Sequence, residues 1–285
     1  MEITFHGVRG SIPVPGPDTP RYGGNTSCAS LLTASGQRFI LDAGTGIITL
    51  GRKLMAEEFG RGAGQATILL THAHWDHIQG FPFFPPVFIP GNRFALYGPG
   101  QSRGLLEGIL EGQMNPNFSP LHTIKNLGAS IELVAVEGDG TTVFPCGEAL
   151  LSAHLNPHGT TTALAWRIEA DGRSVVWAPD CGYTVADLPE AAIDFYRGVD
   201  LLIHDSTYSP EDWVDRRERG FSSINEAAAA ATRAGVRKLA LTHFDPDYND
   251  EMVDSLLERT RHLLDAQGGG AIELVAAREG MTLPV

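Results

Sequence analysis

The stretch Thr67-Ile68-Leu69-Leu70-Thr71-His72-Ala73-His74-Trp75-Asp76-His77-Ile78-Gln79-Gly80 decides how the rest of the chain is read. It opens as a short apolar run, the pattern of a buried strand. It then places three histidines and an aspartate within six residues. On an extended or turning backbone alternate side chains point the same way, so His72 and His74 can reach one point. Asp76 and His77 follow where the chain turns toward a helix, which aims them at a second point close by. Imidazole and carboxylate at that density suit Zn²⁺, with Mn²⁺ or Fe as alternatives where carboxylate takes part. The bland alternative, a polar turn, would gather three of the chain's ten histidines in one place by accident.

Upstream, Ile3 and Phe5 alternate with polar residues and predict a strand. Residues 7–24 follow, a loop by their Gly/Pro chemistry, and a loop this long usually carries function. Segments 30–33 and 38–41 predict a hairpin, the second strand ending in Asp42-Ala43-Gly44, and 47–59 has helical apolar spacing. Downstream, 81–90 is rich in Phe and Pro: either a packed loop over the core or an apolar wall beside the site. A strand is predicted at 94–97, a helix at 102–113 and a loop at 115–120. Further strands are predicted at 131–136, 141–144, 149–155, 163–169, 174–178, 200–204, 237–241 and 272–275, and helices at 185–196, 222–234 and 252–264.

One pattern recurs. Four apolar strands deliver His, Asp or both at their C-terminal ends, after Leu70, Leu155, Ala178 and Leu241. Strands alternating with helices imply an α/β protein, and open α/β folds gather their sites at that end of the strands. No internal repeat, low-complexity tract or linker divides the chain, so residues 1–285 are expected to form one domain.

The chain has 285 residues, 42% of them hydrophobic, enough for a sizeable core. Its formal net charge of −13 argues against a nucleic-acid surface, which is normally basic; a small-molecule substrate is expected instead. Cys28, Cys146 and Cys181 share no CxxC spacing and read as reduced thiols. The start Met1-Glu2-Ile3-Thr4-Phe5-His6 shows no signal-peptide pattern, and no apolar run approaches membrane-spanning length. A cytoplasmic protein is expected, with no membrane partner; an acidic surface with aromatic loops would tolerate a homodimer.

With these residues in view the chain resembles the metallo-β-lactamase-fold hydrolases over nearly its whole length. Five stations carry the resemblance in order: Asp42, His72-x-His74-x-Asp76-His77, His158, Asp180 and His243. The resemblance implies a four-layer αββα sandwich with a dinuclear site between two sheets. It implies that His72, His74 and His158 hold one metal, that Asp76, His77 and His243 hold the other, and that Asp180 bridges them. Asp42 would hydrogen-bond a ligand histidine and fix its orientation. His154 competes with His158, which is favoured because it sits just past the predicted strand, before Gly and small polar residues.

Thr242-His243-Phe244, Leu202-Ile203-His204-Asp205-Ser206-Thr207 and Tyr22-Gly23-Gly24-Asn25-Thr26-Ser27 narrow the resemblance to a phosphodiesterase branch that includes ribonuclease Z and small cyclic-phosphate phosphodiesterases. Where that branch has His-Ser-Thr, this chain has Phe221-Ser222-Ser223, which lacks a histidine expected to assist at the phosphate or leaving group. Two divalent cations about 3.5–4 Å apart would share a water, lower its pKa and clamp substrate oxygens. Asp76 would also orient the nucleophile. His204 is a candidate for the missing acid, against the reading of a buried histidine ending an apolar run. Asp205 is either a group that orients the site or the cap of a turn. Tyr22, Asn25, Trp75 and Phe221 stay open between packing and substrate contact.

The expected function is therefore a metal-dependent hydrolase, first a phosphodiesterase on a small phosphodiester, linear or cyclic. The alternatives are a carbonyl ester, lactone or thioester hydrolase of the same fold, or a non-catalytic binding module.

Overall fold

A computed structural model describes residues 1–100, 103–117, 119 and 123–285. One sheet is built from β1 (Glu2–Gly7), β2 (Cys28–Leu32), β3 (Arg38–Leu41), β4 (Gln65–Leu69), β5 (Arg93–Pro99) and β6 (Ser130–Val136). A second holds β7 (Asp139–Cys146), β8 (Ala149–His158), β9 (Thr161–Ala170), β10 (Arg173–Ala178), β11 (Leu201–Asp205), β12 (Lys238–Thr242) and β13 (Glu273–Ala276). The last strand, β14 (Thr282–Pro284), returns to the first sheet. The orders are β14-β1-β2-β3-β4-β5-β6 and β13-β12-β11-β10-β9-β8-β7. From β3 to β6 and from β10 to β13 the pairings are parallel, which sets the C-terminal ends of these strands along one edge.

The two sheets face each other. Phe39, Leu41 and Leu69 of the first pack in one cluster with Leu151, Trp166 and Trp177 of the second. The intervening residues Ile40 and Ile68 turn the other way, onto Ile47, Leu50 and Leu54 of α1 (Gly46–Leu54) and onto Phe81 and Phe84. Successive side chains of a strand alternate faces, so strands covered on both sides read as unbroken apolar runs. Trp166 links the layers through its indole N–H, 3.0 Å from the Leu70 carbonyl.

The short α2 (Trp75–Ile78) follows β4, and α3 (Arg103–Gly112) packs on β6. On the far side lie α4 (Glu190–Tyr196), α6 (Ile224–Ala234) and α7 (Asp250–Ala266), with α5 (Pro210–Arg216) between β11 and α6. The architecture is the expected αββα sandwich. Among the described residues no helix is long and apolar enough to cross a membrane.

Several boundaries differ from the sequence expectation. The strand expected to stop at Leu155 continues to His158, because His158 pairs with Thr161 across a tight turn at Gly159, whose φ is +57°. The helix expected over 185–196 breaks at Pro189, which cannot donate within a helix and holds Leu188 extended; only Glu190–Tyr196 is α-helical. The helix from Ile47 ends at Leu54 rather than 59. Ser102 and Pro120, which bound an expected helix and loop, lie outside the described residues. Helix α5 and strand β14 were not expected. The first buries none of its residues and so carries no apolar period; the second is three residues long.

Candidate metal centre and active site

His72 and His74 lie on the turn leaving β4, with His74 at the N-cap of α2 and Asp76 and His77 inside it. His158 ends β8, Asp180 lies two residues past β10, and His243 directly follows β12. His72, His74 and His158 form one group of possible ligand atoms, and Asp76, His77 and His243 a second; within each the atoms lie within 4.8 Å of one another. Asp180 joins His72 and His77 in an overlapping group. Its carboxylate stands 3.1 Å from His77 Nε2, 3.4 Å from His243 Nε2 and 3.7 Å from His158 Nε2. His74 is the exposed member and marks the mouth; the others are buried.

These atoms converge without satisfying one another. Both Asp180 oxygens and His72 Nε2 are buried and lack a properly aligned hydrogen-bond partner among the described residues. Buried polar atoms are almost always paired. An array of lone pairs aimed at common points rather than at donors fits a cation, and His/Asp donors of this kind fit divalent ions. The remaining nitrogens are tied back. His77 Nδ1 meets Asp42 Oδ2 at 2.9 Å, His158 Nδ1 donates to the Gly220 carbonyl at 2.7 Å, and His243 Nδ1 meets Thr207 Oγ1 at 3.1 Å. Such contacts fix which ring nitrogen faces a metal.

The charges follow from this crowding. Burial opposes ionisation, yet Asp76, Asp180 and Asp42 hold His77 well above the usual imidazole range. Burial would also raise Asp76, but His77 and His243 pull it well below the carboxylate range. Burial, reinforced by His77, keeps His72 well below its ordinary value.

Asp42 follows β3 at φ +57°, a conformation rare outside glycine. Besides His77 it accepts from the Thr71 backbone N–H at 2.8 Å and from the Trp177 indole at 2.8 Å, so it ties both sheets to the site. Asp205 accepts from Thr207 through both N–H and hydroxyl, and from the N–H groups of Cys181 and Ser222. It thus positions the hydroxyl that meets His243. Burial pushes Asp205 up to about 7, opposed by His243 and helped by Asp180.

Two expected candidates lie elsewhere. His154 stacks on Phe195 with ring centres 5.5 Å apart, outside the cluster. His204 is fully buried, its Nε2 bonded to the Tyr183 hydroxyl and its Nδ1 to the Asp205 carbonyl. With both nitrogens engaged and no solvent contact, His204 stands outside the ligand groups and presents no free ring nitrogen to a substrate. Phe221 occupies the place of interest instead, 5.0 Å from the His158 ring and 5.3 Å from that of His243.

Sequence reasoning missed three contributors. Thr71 Oγ1 bonds Asp42 and lies 3.1 Å from His72 Nδ1. The Ser11 N–H donates to Asp76 Oδ2 at 2.6 Å from the early loop. Gly220 supplies the carbonyl for His158. Only Thr71 carried a signal, its adjacency to the first histidine.

The profile of the family described as Beta-lactamase superfamily domain matches residues 37–244. Ribonuclease Z of Mycobacterium marinum is 31% identical over 293 residues, spanning 96% of this chain and 95% of that protein. Ribonuclease Z of Haloferax volcanii is 28% identical over 326 residues, spanning 100% and 95%. The solved structure of the metallo-beta-lactamase fold protein YhfI from Bacillus subtilis superposes with a TM-score of 0.69 at 18% identity, covering 99% of this chain and 98% of that one. With ribonuclease Z relatives spanning the chain, net charge no longer serves to exclude RNA as a partner. The chain belongs to the beta-lactamase superfamily, on its ribonuclease Z-like branch, and is a metal-dependent hydrolase.

Proposed function

We propose that residues 1–285 act as one domain that hydrolyses phosphodiesters at a dinuclear metal centre. His72, His74 and His158 hold one ion, Asp76, His77 and His243 the other, and Asp180 is shared between them. The observation that carries this reading is the pair of three-residue groups, joined by a carboxylate whose buried oxygens have no aligned donor. Five imidazoles and two carboxylates favour Zn²⁺, with Mn²⁺ and Fe as the other candidates. When bound, the ions lower the pKa of a water and neutralise charge on the phosphoryl oxygens. Asp76, steadied by the Ser11 N–H, orients the attacking water; Asp42 and Asp205 are positioning residues that act through His77 and through Thr207 and His243.

The substrate divides into two classes. Relatives named ribonuclease Z favour an RNA phosphodiester. Phe221 beside His158 and His243 favours a small phosphodiester whose leaving group departs without a donated proton. The test assays metal-analysed protein on bis(p-nitrophenyl) phosphate, a 2′,3′-cyclic nucleotide, a tRNA precursor and p-nitrophenyl acetate, with His74→Ala as control. Phosphodiester turnover requiring about two metals per chain and lost in His74→Ala supports the reading. Turnover of the acetate alone would move the assignment to a carbonyl hydrolase.

A further inference from the structure

Exposed apolar side chains scattered singly are ordinary, but several gathered along one groove mark a binding surface. Trp75, set between His74 and Asp76, is 78% exposed, and Phe83 nearby is 52% exposed. Both line a groove of about 650 Å³ with Ile78, Pro82, Ile109 and Gln113. That volume falls within the roughly 300–1,000 Å³ of small-molecule sites. Residues three apart share a helix face, so within the single turn of α2 Trp75 and Ile78 border the groove. Asp76 and His77, on the same turn, enter the ligand groups. Groove and metal groups are therefore two sides of one helical turn, with the exposed His74 at their junction.

A second observation points to a ligand with polar edges. The Gln113 amide nitrogen, on the groove wall, is buried with no hydrogen-bond partner among the described residues. A flat aromatic body with hydrogen-bonding edges would satisfy both features: its face on the indole, its edge on the amide.

We propose that this groove is the subsite for a nucleobase attached to the scissile phosphate, with Trp75 as the stacking platform and Gln113 as the edge contact. The proposal rests on the phosphodiesterase reading for its orientation toward the metals. Stacking on an aromatic is sequence-tolerant and strong enough to change affinity about tenfold. One turn of helix holds the platform in fixed relation to Asp76 and His77, so base binding would place the phosphate.

The test measures binding of adenosine 5′-monophosphate and of ribose 5-phosphate to the metal-loaded protein by calorimetry, with tryptophan fluorescence in parallel. Wild type is expected to prefer the nucleotide by about tenfold or more, with quenching of the exposed indole. The preference should collapse in Trp75→Ala, persist in part in Trp75→Phe, and fall several-fold in Gln113→Ala, which tests the groove even where Trp75→Ala misfolds. Equal or absent binding of the two ligands to wild type would overturn the proposal, as would a preference retained in Trp75→Ala. Equal loss of both ligands in that variant would overturn it too, by making Trp75 a support for the metal groups. So would a homodimer that dissociates in Trp75→Ala with the ligand preference unchanged. A nucleotide preference that collapses in Trp75→Ala, without turnover of bis(p-nitrophenyl) phosphate, the 2′,3′-cyclic nucleotide or the tRNA precursor, would leave the subsite standing and sink the phosphodiesterase reading instead.

Discussion

Asp42 shows how much one residue can hold. Its φ of +57° is tolerated by Asp and Asn better than by other side chains, and in that conformation one carboxylate reaches His77, Thr71 and Trp177 together. Asp42→Asn keeps the backbone and removes the charge. It is expected to weaken metal binding about 10- to 100-fold, measured by competition against a calibrated chelator; unchanged affinity would show that His77 is oriented without it. Phe221 makes the complementary case. Its ring lies against His158 and His243, where a titratable group would meet a leaving oxygen. Phe221→His is expected to raise turnover of alkyl leaving groups by about 100-fold, the lower end of general acid catalysis, with little change for p-nitrophenolate, which departs unaided. The rate as a function of leaving-group pKa reads this directly. His204, expected beside the substrate, lies outside the ligand groups. Along β11 neighbouring residues face opposite sides, so Asp205 joins the network of His243 while His204 points to Tyr183 and Tyr196. A shift of one residue exchanges the faces, and sequence alone does not say which of two adjacent polar residues looks at the site.

The elements that bear the metal groups were legible because each ends an apolar run at the same edge. What was not legible is what closes over them. The loop after β1 brings Gly10 against His243: a Cβ there would stand 2.4 Å from the imidazole Cε1. His243 cannot easily retreat, since its own φ is +64° and the Gly10 N–H is bonded to the Phe244 carbonyl at 3.0 Å. Gly10→Ala is therefore expected to displace His243 and reduce bound metal from about two ions to about one per chain. Elemental analysis of the purified variant checks this, and a full complement would show that the loop yields. A Gly/Pro-rich loop announces that it is a loop, but not which glycine touches which ring, because that contact spans most of the sequence. The same limit hid the carbonyl of Gly220 and the N–H of Ser11, backbone groups whose partners no side chain announces.

Across the whole molecule, acid stability depends on histidines buried without charge. Burial, assisted by Lys53 and Arg38, pushes His6 down to about 4, and burial pushes His204 down to about 4, opposed by its bond to the Asp205 carbonyl. A folded value below the unfolded one means that the unfolded chain takes the proton first. The stability these residues contribute is therefore complete above about pH 6.5 and is lost as pH falls toward 4. At pH 5 each costs about 2 kcal/mol, from roughly 1.5 units at 1.36 kcal/mol per unit. Asp205, pushed up to about 7, works in the opposite direction: it favours the fold at low pH and loses that contribution as pH rises through 7. The two trends overlap, so the wild-type profile alone decides nothing. His6→Gln separates them. It can keep the contact to Ser30, 2.8 Å from His6 Nε2, while removing the titration. Denaturant unfolding of metal-stripped protein at pH 7.5 and pH 5 is expected to show the variant losing about 2 kcal/mol less than wild type between those values. An identical loss in both would remove His6 from the account and leave the acid sensitivity with His204 and the metal-binding groups.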